Sequence, residues 1–288
     1  MGIFASTDSV TNKYIHPDTG IIFEDRIGEL KKIDVDVYDD PRLGVTARYS
    51  SIGMASTIYV YTLGIENISS EPFSNEVVGQ FYQVENDVMN IHQNANISIS
   101  EVTELGDKNK LILHEKFEFI EDNIKKYSHL YIWGYKNNFV KIRFSYDSQV
   151  ELQAEEELKK QLLYMSQYIS EGTLTYEKGL TAYEQKDLKV AFMIWAYLVK
   201  KGDTASKYGL AIVYMSLENF KDAMYWLNQS AEEGYPMAQY DLGQMYCDGD
   251  LVAKDMHKCA YWIKKARDNG YEESYDIWNE LSLEKYIE

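Results

Sequence analysis

The sequence predicts an α+β chain in two parts, an N-terminal antiparallel-sheet α/β domain followed by a C-terminal all-α solenoid of helix pairs. The first observation is a repeated phrase in the last third. Ala191-x-x-Ile194-Trp195-x₆-Gly202 returns as Ala223-x-x-Trp226-Leu227-x₆-Gly234 and as Cys259-x-x-Trp262-Ile263-x₆-Gly270, at spacings of 32 and 36 residues. A unit of that length cannot bury its apolar face alone and must stack on the next. The second observation is a run of short β-branched and aromatic segments between residues 20 and 148, separated by turn residues. The third is length, because 288 residues are long for one core and comfortable for two domains. The expected boundaries are a flexible lead-in over 1–19, an α+β domain over 20–170 and the solenoid over 171–288.

In the first domain, Ile21-Ile22-Phe23, Gly44 to Tyr49 and Thr57 to Leu63 read as strands. The last is nearly continuous in β-branched and aromatic residues, as expected of a central strand covered on both faces. Ser74 to about Asn94 reads as a helix. Ser74 is a capping residue, and Val77, Val78, Phe81, Val84, Val88 and Ile91 recur at helical steps. Strands resume over Ile97–Leu105, Lys110–Ile120 and Leu130–Tyr135, and Lys136-Asn137-Asn138 turns the chain into Phe139–Phe144 as a hairpin. Alternation there places Val140, Ile142 and Phe144 inward and Lys141 and Arg143 on an outward basic face. Gln149 to Ser170 is a helix with a Leu158, Leu162, Met165, Ile169 stripe, expected to close this domain.

Each repeat reads as a first helix rich in Tyr, Leu and small residues, a loop, and a second helix ending at the repeat glycine. Small and large residues at helical steps let one helix approach and interlock with its neighbour. Gly202, Gly234 and Gly270 fall where helix C-terminal caps need φ > 0, and the tryptophans are expected in the core. The run Ala238-Gln239-Tyr240-Asp241-Leu242-Gly243-Gln244-Met245-Tyr246, then Gly249 to Cys259, then Trp262 to Gly270, resembles the Sel1-like repeats, relatives of tetratricopeptide repeats. It departs from the family pattern at Leu251, in place of a second glycine, and at Cys259, in place of alanine. The resemblance covers about 110 residues, with the copies ending at Gly202 and Gly234 closer to tetratricopeptide form. It implies protein–protein interaction, and in bacteria often secretion-associated or immunity-type roles. The strand–strand–helix–strands–helix order of the first domain, with Gly44-Val45 and Tyr59-Val60-Tyr61, faintly resembles PsbP-like α/β sandwiches, a likeness of fold that says little about function.

The formal charge of −17, with 14 basic against 22 acidic residues in 1–150 and 15 against 24 in 151–288, excludes a nucleic-acid binder, which needs clustered Lys and Arg. It suits a basic partner, and also plain solubility. No window holds 18 consecutive apolar residues, so no membrane span is expected. The first 20 residues lack the apolar core of a signal peptide, which gives a cytoplasmic placement, or a periplasmic one if a leader has been removed. Met1-Gly2-Ile3-Phe4-Ala5-Ser6 fits the loose myristoylation pattern, a short match of little specificity. Cys259 occupies the small-residue slot of the repeat and is expected to pack. A bridge to Cys247 is also open, since Cys247 ends one helix and Cys259 begins its antiparallel partner.

No catalytic, cofactor or metal constellation emerges. His16, His92, His114, His129 and His257 have no metal spacing, no phosphate-loop or nucleophile-elbow motif occurs, and His114 and Glu115 point to opposite sides of a strand. The acidic run Asp34-Val35-Asp36-Val37-Tyr38-Asp39-Asp40 lacks the glycine and distal Glu of a calcium loop and reads as a solvated strand edge or turn. The expectation is a non-enzymatic interaction protein, and in its sharper form an acidic immunity or inhibitor protein that occludes a basic toxin or enzyme. An adaptor joining two partners, or an enzyme with its site in the first domain, are the alternatives. Candidate partner-binding residues are Lys178, Lys207, Gln239, Asp241 and Gln244, taken as exposed positions on first helices, and Asp34, Asp36, Asp39 and Asp40 on the acidic run.

Overall fold

The computed structural model describes residues 13–106 and 109–287. The chain divides after Thr173 into two compact units. In the first, an eight-stranded antiparallel sheet runs in the order β3 (Arg26–Ile27), β4 (Leu30–Val37), β5 (Val45–Ser51), β6 (Met54–Tyr61), β10 (Asn138–Asp147), β9 (Ile124–Tyr135), β8 (Lys110–Glu121) and β7 (Asn96–Leu105). A two-stranded ribbon of β1 (Tyr14–Ile15) and β2 (Ile22–Phe23) adjoins it in sequence. Residues 1–12 of the expected lead-in, with the myristoylation pattern, lie outside the described residues. Its remainder is not irregular: β1 pairs with β2, and His16 is buried.

Among the described residues, two α-helices belong to this unit. Helix α1 (Asn75–Ile91) starts where Ser74 accepts a hydrogen bond from the Val77 N–H, and it buries Val77, Phe81, Val84 and Val88. Helix α2 (Glu151–Met165) lays Leu158, Leu162 and Met165 against Ile58, Val60, Ile142 and Phe144. A buried polar tie across that layer is Ser56, whose hydroxyl donates to the Gln161 side-chain oxygen at 2.8 Å. The run at 57–63 thus lies largely in β6, the fourth of eight strands.

The basic face expected on β10 does not face outward. Arg143 meets His92, just past α1, at 3.2 Å and donates to the Ser128 hydroxyl, while the Lys141 amine lies 4.0 Å from the Tyr59 ring centre. Alternation assigns the two faces of a strand correctly, but it does not reveal that α1 covers the second face.

In the second unit, helices pair in sequence: α3 (Tyr176–Glu184) with α4 (Leu188–Lys200), α5 (Thr204–Ser216) with α6 (Phe220–Glu232), and α7 (Pro236–Asp248) with α8 (Met256–Asp268), followed by α9 (Glu273–Glu280). Side-chain caps open four of these helices: Asp187, Asp203, Asn219 and Asp255 each accept from a backbone N–H two or three residues on. Gly202, Gly234 and Gly270 end the second helices at φ of 90°, 96° and 85°. Cys247 and Cys259 form a disulfide with Cα atoms 5.0 Å apart, clamping the end of α7 to the first turn of α8.

The interlock within and between pairs sets a large side chain against a small one. Trp195 fills the space beside Gly179 and Gly209, Leu227 packs in one cluster with Ala211, and Ile263 lies against Gly243. Trp195, Leu227 and Ile263 are exposed by 2% or less. Trp226 and Trp262 occupy the preceding position of the phrase and pack only partly buried on the α5–α7 cluster.

A Cβ at Gly209 would fall inside the Trp195 ring, so Gly209→Ala is expected to destabilise the second unit by about 1–3 kcal/mol. Gly79 in α1 meets nothing within 4 Å, so Gly79→Ala is expected to be neutral or to stabilise by about 0.5–1 kcal/mol. Calorimetric unfolding of the two variants reads both effects.

Candidate interaction surface

The repeat unit brings five tyrosines together from separate helices and turns. Tyr176 of α3 is 6.4 Å from Tyr235 between ring centres, Tyr235 is 5.5 Å from Tyr208 of α5, and Tyr240 of α7 is 4.8 Å from Tyr271, which precedes α9. The Tyr208 hydroxyl donates to Asp241 at 2.8 Å, linking the two groups. All five recur near first-helix starts, so stacking the repeats aligns them into one aromatic line.

Acidic side chains flank this line. Burial raises the Tyr240 and Tyr271 phenols, and the charges of Asp241 and Glu273 raise them further. Burial also raises Tyr235, with Asp203 and Glu177 adding to the effect against its hydrogen bond with Tyr176. Asp241 itself is held above the usual carboxylate range by desolvation, which its hydrogen bond from Tyr208 partly offsets. The surface therefore offers rings with carboxylates beside them, and Glu177, Glu273 and Asp276 are exposed.

The sequence-derived candidates divide on this background. Lys178 is exposed on α3. Lys207 is half-buried and pairs with Glu233. Gln244 is half-buried, and its amide donates to the Tyr240 hydroxyl at 2.8 Å. Gln239 is not exposed: it is 2% accessible, donates to the Ala231 carbonyl and accepts from Asn269 at 2.9 Å each. It joins one repeat to the next because its position faces the preceding second helix, whereas the family pattern leaves that position unspecified. The structure brings Asp241 and Gln244 close to the tyrosine line, a grouping that the first-helix periodicity supports.

On the acidic run, Asp34 and Asp36 lie on one side of β4 and both accept from Arg48 of β5, at 2.9 and 2.8 Å. Asp40 takes Arg42 in a two-pronged pair at 2.7–3.0 Å, which holds its carboxyl below the usual range through those hydrogen bonds. Asp39 lies in the same turn. Beyond Lys31, β4 pairs with β5 alone among the described residues, so the run is a strand edge whose charge is largely answered by two arginines.

The first unit also holds a polar cluster that the sequence reading missed. His114 Nε2 and His129 Nδ1 are 3.0 Å apart, His129 Nε2 is 3.3 Å from the Tyr146 hydroxyl, and Tyr146 donates to Glu155 at 2.7 Å. Glu101 lies 3.4 Å from His114 and Lys116 3.2 Å from Glu155. Burial holds His114 below its ordinary pKa, and hydrogen bonds led by that from His129 hold Glu155 far below the carboxylate range. His114 and His129 are 4% and 3% exposed, so the histidines lie inside a network shared by β7, β8, β9, β10 and α2, with the carboxylates of Glu101 and Glu155 at its edge. Finding it requires the β8–β9 register, which places Lys116 opposite His129 and which no local motif encodes.

A family model described as Sel1 repeat matches residues 205–235 and 236–271. These two stretches are Sel1 repeats. The first of them ends at Gly234, a copy whose loop is shorter than that of the better match ending at Gly270. An F-box protein of Arabidopsis thaliana is 35% identical over 78 residues, which are 26% of this chain and 22% of that protein, so the chain spans about a fifth of this relative. The solution structure of cyanobacterial PsbP from Synechocystis aligns over 57% of this chain and 98% of its own, with 10% identity and a TM-score of 0.36. The Sel1 repeat is a protein–protein interaction module with no catalytic groups of its own. No helix among the described residues is long and apolar enough to cross a membrane.

Within the Sel1 repeats, Tyr208→Phe removes the donor that partly offsets the burial of Asp241. A carboxyl raised in the folded state costs stability once pH exceeds its ordinary range, so losing that donor is felt most when Asp241 is ionised. The variant is expected to lose about 1–3 kcal/mol at pH 7 and clearly less at pH 4, read by denaturant unfolding at the two pH values.

Proposed function

We propose that this protein is a non-catalytic binding protein whose tyrosine line on the repeats holds a basic protein partner. In its specific form the proposal is an immunity-type inhibitor that occludes a basic toxin or enzyme surface. The observation that carries it is the pairing of the half-buried rings of Tyr176, Tyr235, Tyr240 and Tyr271, joined through the buried Tyr208, with exposed carboxylates beside them. Tyr supplies contact area at small conformational cost, and flanking carboxylates steer a cationic partner and set its register. The net charge of −17 adds a long-range field of the same sign. Asp34, Asp36, Asp39 and Asp40 form a weaker second candidate, since Arg48 and Arg42 already answer most of that charge. The disulfide supports placement in a compartment that oxidises thiols, which favours the periplasmic over the cytoplasmic alternative.

The full chain, immobilised and exposed to a native lysate, is expected to capture one basic protein that elutes at moderate salt. Neutralising Glu177, Glu273 and Asp276 together, all exposed, is expected to weaken capture by about tenfold or more. Capture of several unrelated proteins would point to an adaptor, and capture indifferent to the three substitutions would remove the tyrosine line as the site.

A further inference from the structure

A recess of about 270 Å³ opens on the sheet of the first unit, away from α2. Its floor is a single row across three strands, since Thr46 of β5 pairs with Tyr59 of β6, which pairs with Lys141 of β10. Tyr61 lines it two residues along β6, and Tyr38, Leu43 and Leu63 form a rim 38–46% exposed. The recess is thus apolar at the mouth and carries an amine at the floor.

Two features at the floor are unanswered among the described residues. The Lys141 amine lies 4.0 Å from the Tyr59 ring centre and 5.4 Å from that of Tyr61, and it makes no ion pair among the described residues. Ring faces attract an ammonium, but they do not replace the anion or water shell it loses on burial. The Tyr61 hydroxyl is fully buried with no hydrogen-bond partner among the described residues, in a residue only 7% exposed. Such an orphan is uncommon in a folded protein and leaves this wall of the recess short of one polar partner.

We propose that this recess binds a small organic acid with a single-ring or comparably compact apolar body, its carboxylate paired with Lys141 and its body between Tyr59, Tyr61 and the Leu43–Leu63 rim. The anion supplies the charge that Lys141 lacks, and the tyrosine and leucine walls cover an apolar body. The volume is near the lower end of ordinary ligand pockets, about 300 Å³ and up, which suits one ring rather than a nucleotide or peptide. A cationic ligand is disfavoured because Lys141 already takes the Tyr59 face.

Charge around the amine gives the binding a pH dependence. Burial, helped by Arg143 on the same strand, brings the Lys141 pKa down to about 8, against the opposing pull of Asp87 from α1. A carboxylate is therefore held firmly at pH 7, and its grip fades as pH rises through 8 and the ammonium is lost.

The test is calorimetric titration of the full chain with benzoate, phenylacetate and 4-hydroxybenzoate, and with benzyl alcohol as the neutral comparison. At least one acid is expected to bind saturably at pH 7 and to weaken by pH 9, with benzyl alcohol at least about tenfold weaker. Lys141→Gln is expected to abolish the preference for the acid over the alcohol. Leu43→Asp, at the exposed rim, is expected to weaken acid binding several-fold by repelling the anion. The proposal fails if none of the three acids binds saturably, if benzyl alcohol binds as tightly as the acids, or if Leu43→Asp leaves acid binding unchanged.

Discussion

The close approach of paired helices is the constraint on which the repeat unit depends. Trp195 seats itself beside Gly179 and Gly209, and Ile263 against Gly243, where an added Cβ would come within 3 Å of the neighbour. A large side chain opposite an absent one lets two helices interlock at short range, and the neighbouring pairs inherit the resulting spacing. The tyrosine line follows from that spacing. Its rings reside on different helices and meet at 4.8–6.4 Å only because the pairs stack as closely as they do.

The sheet unit solves a different problem. Its strands are covered on both faces, by α2 with the Leu158, Leu162 and Met165 stripe and by α1 over part of the other side. Burying both faces forces polar side chains on the strands to find partners inside, and the His114, His129, Tyr146 and Glu155 network is one outcome. Lys141 is another, answered among the described residues by aromatic faces. The same arrangement that makes the unit stable leaves its charged residues dependent on geometry rather than on water.

Much of this was legible in the sequence. The repeat glycines, the small and large steps, Ser74 as a cap and the strand runs at 44–49 and 57–63 are local signals with local physical causes. Missed elements such as β3 are two residues long and have no period to detect. The exposure of Gln239 was misjudged because helical periodicity gives a face but not which neighbour covers it, and the covering helix comes from the preceding repeat. The outward reading of Lys141 and Arg143 failed for the same reason. Cross-strand groupings, including the histidine pair and the Thr46, Tyr59, Lys141 row, depend on register between segments far apart in the chain.

The central claim is that the tyrosine line is where a basic partner sits. Amide hydrogen exchange on the full chain, with and without its captured partner, tests it most directly. The account predicts new protection in α3, α5 and α7 around Tyr176, Tyr208, Tyr235 and Tyr240. Protection confined to α6 and α8 around the exposed Tyr225 and Tyr261, or to the sheet unit alone, would contradict it.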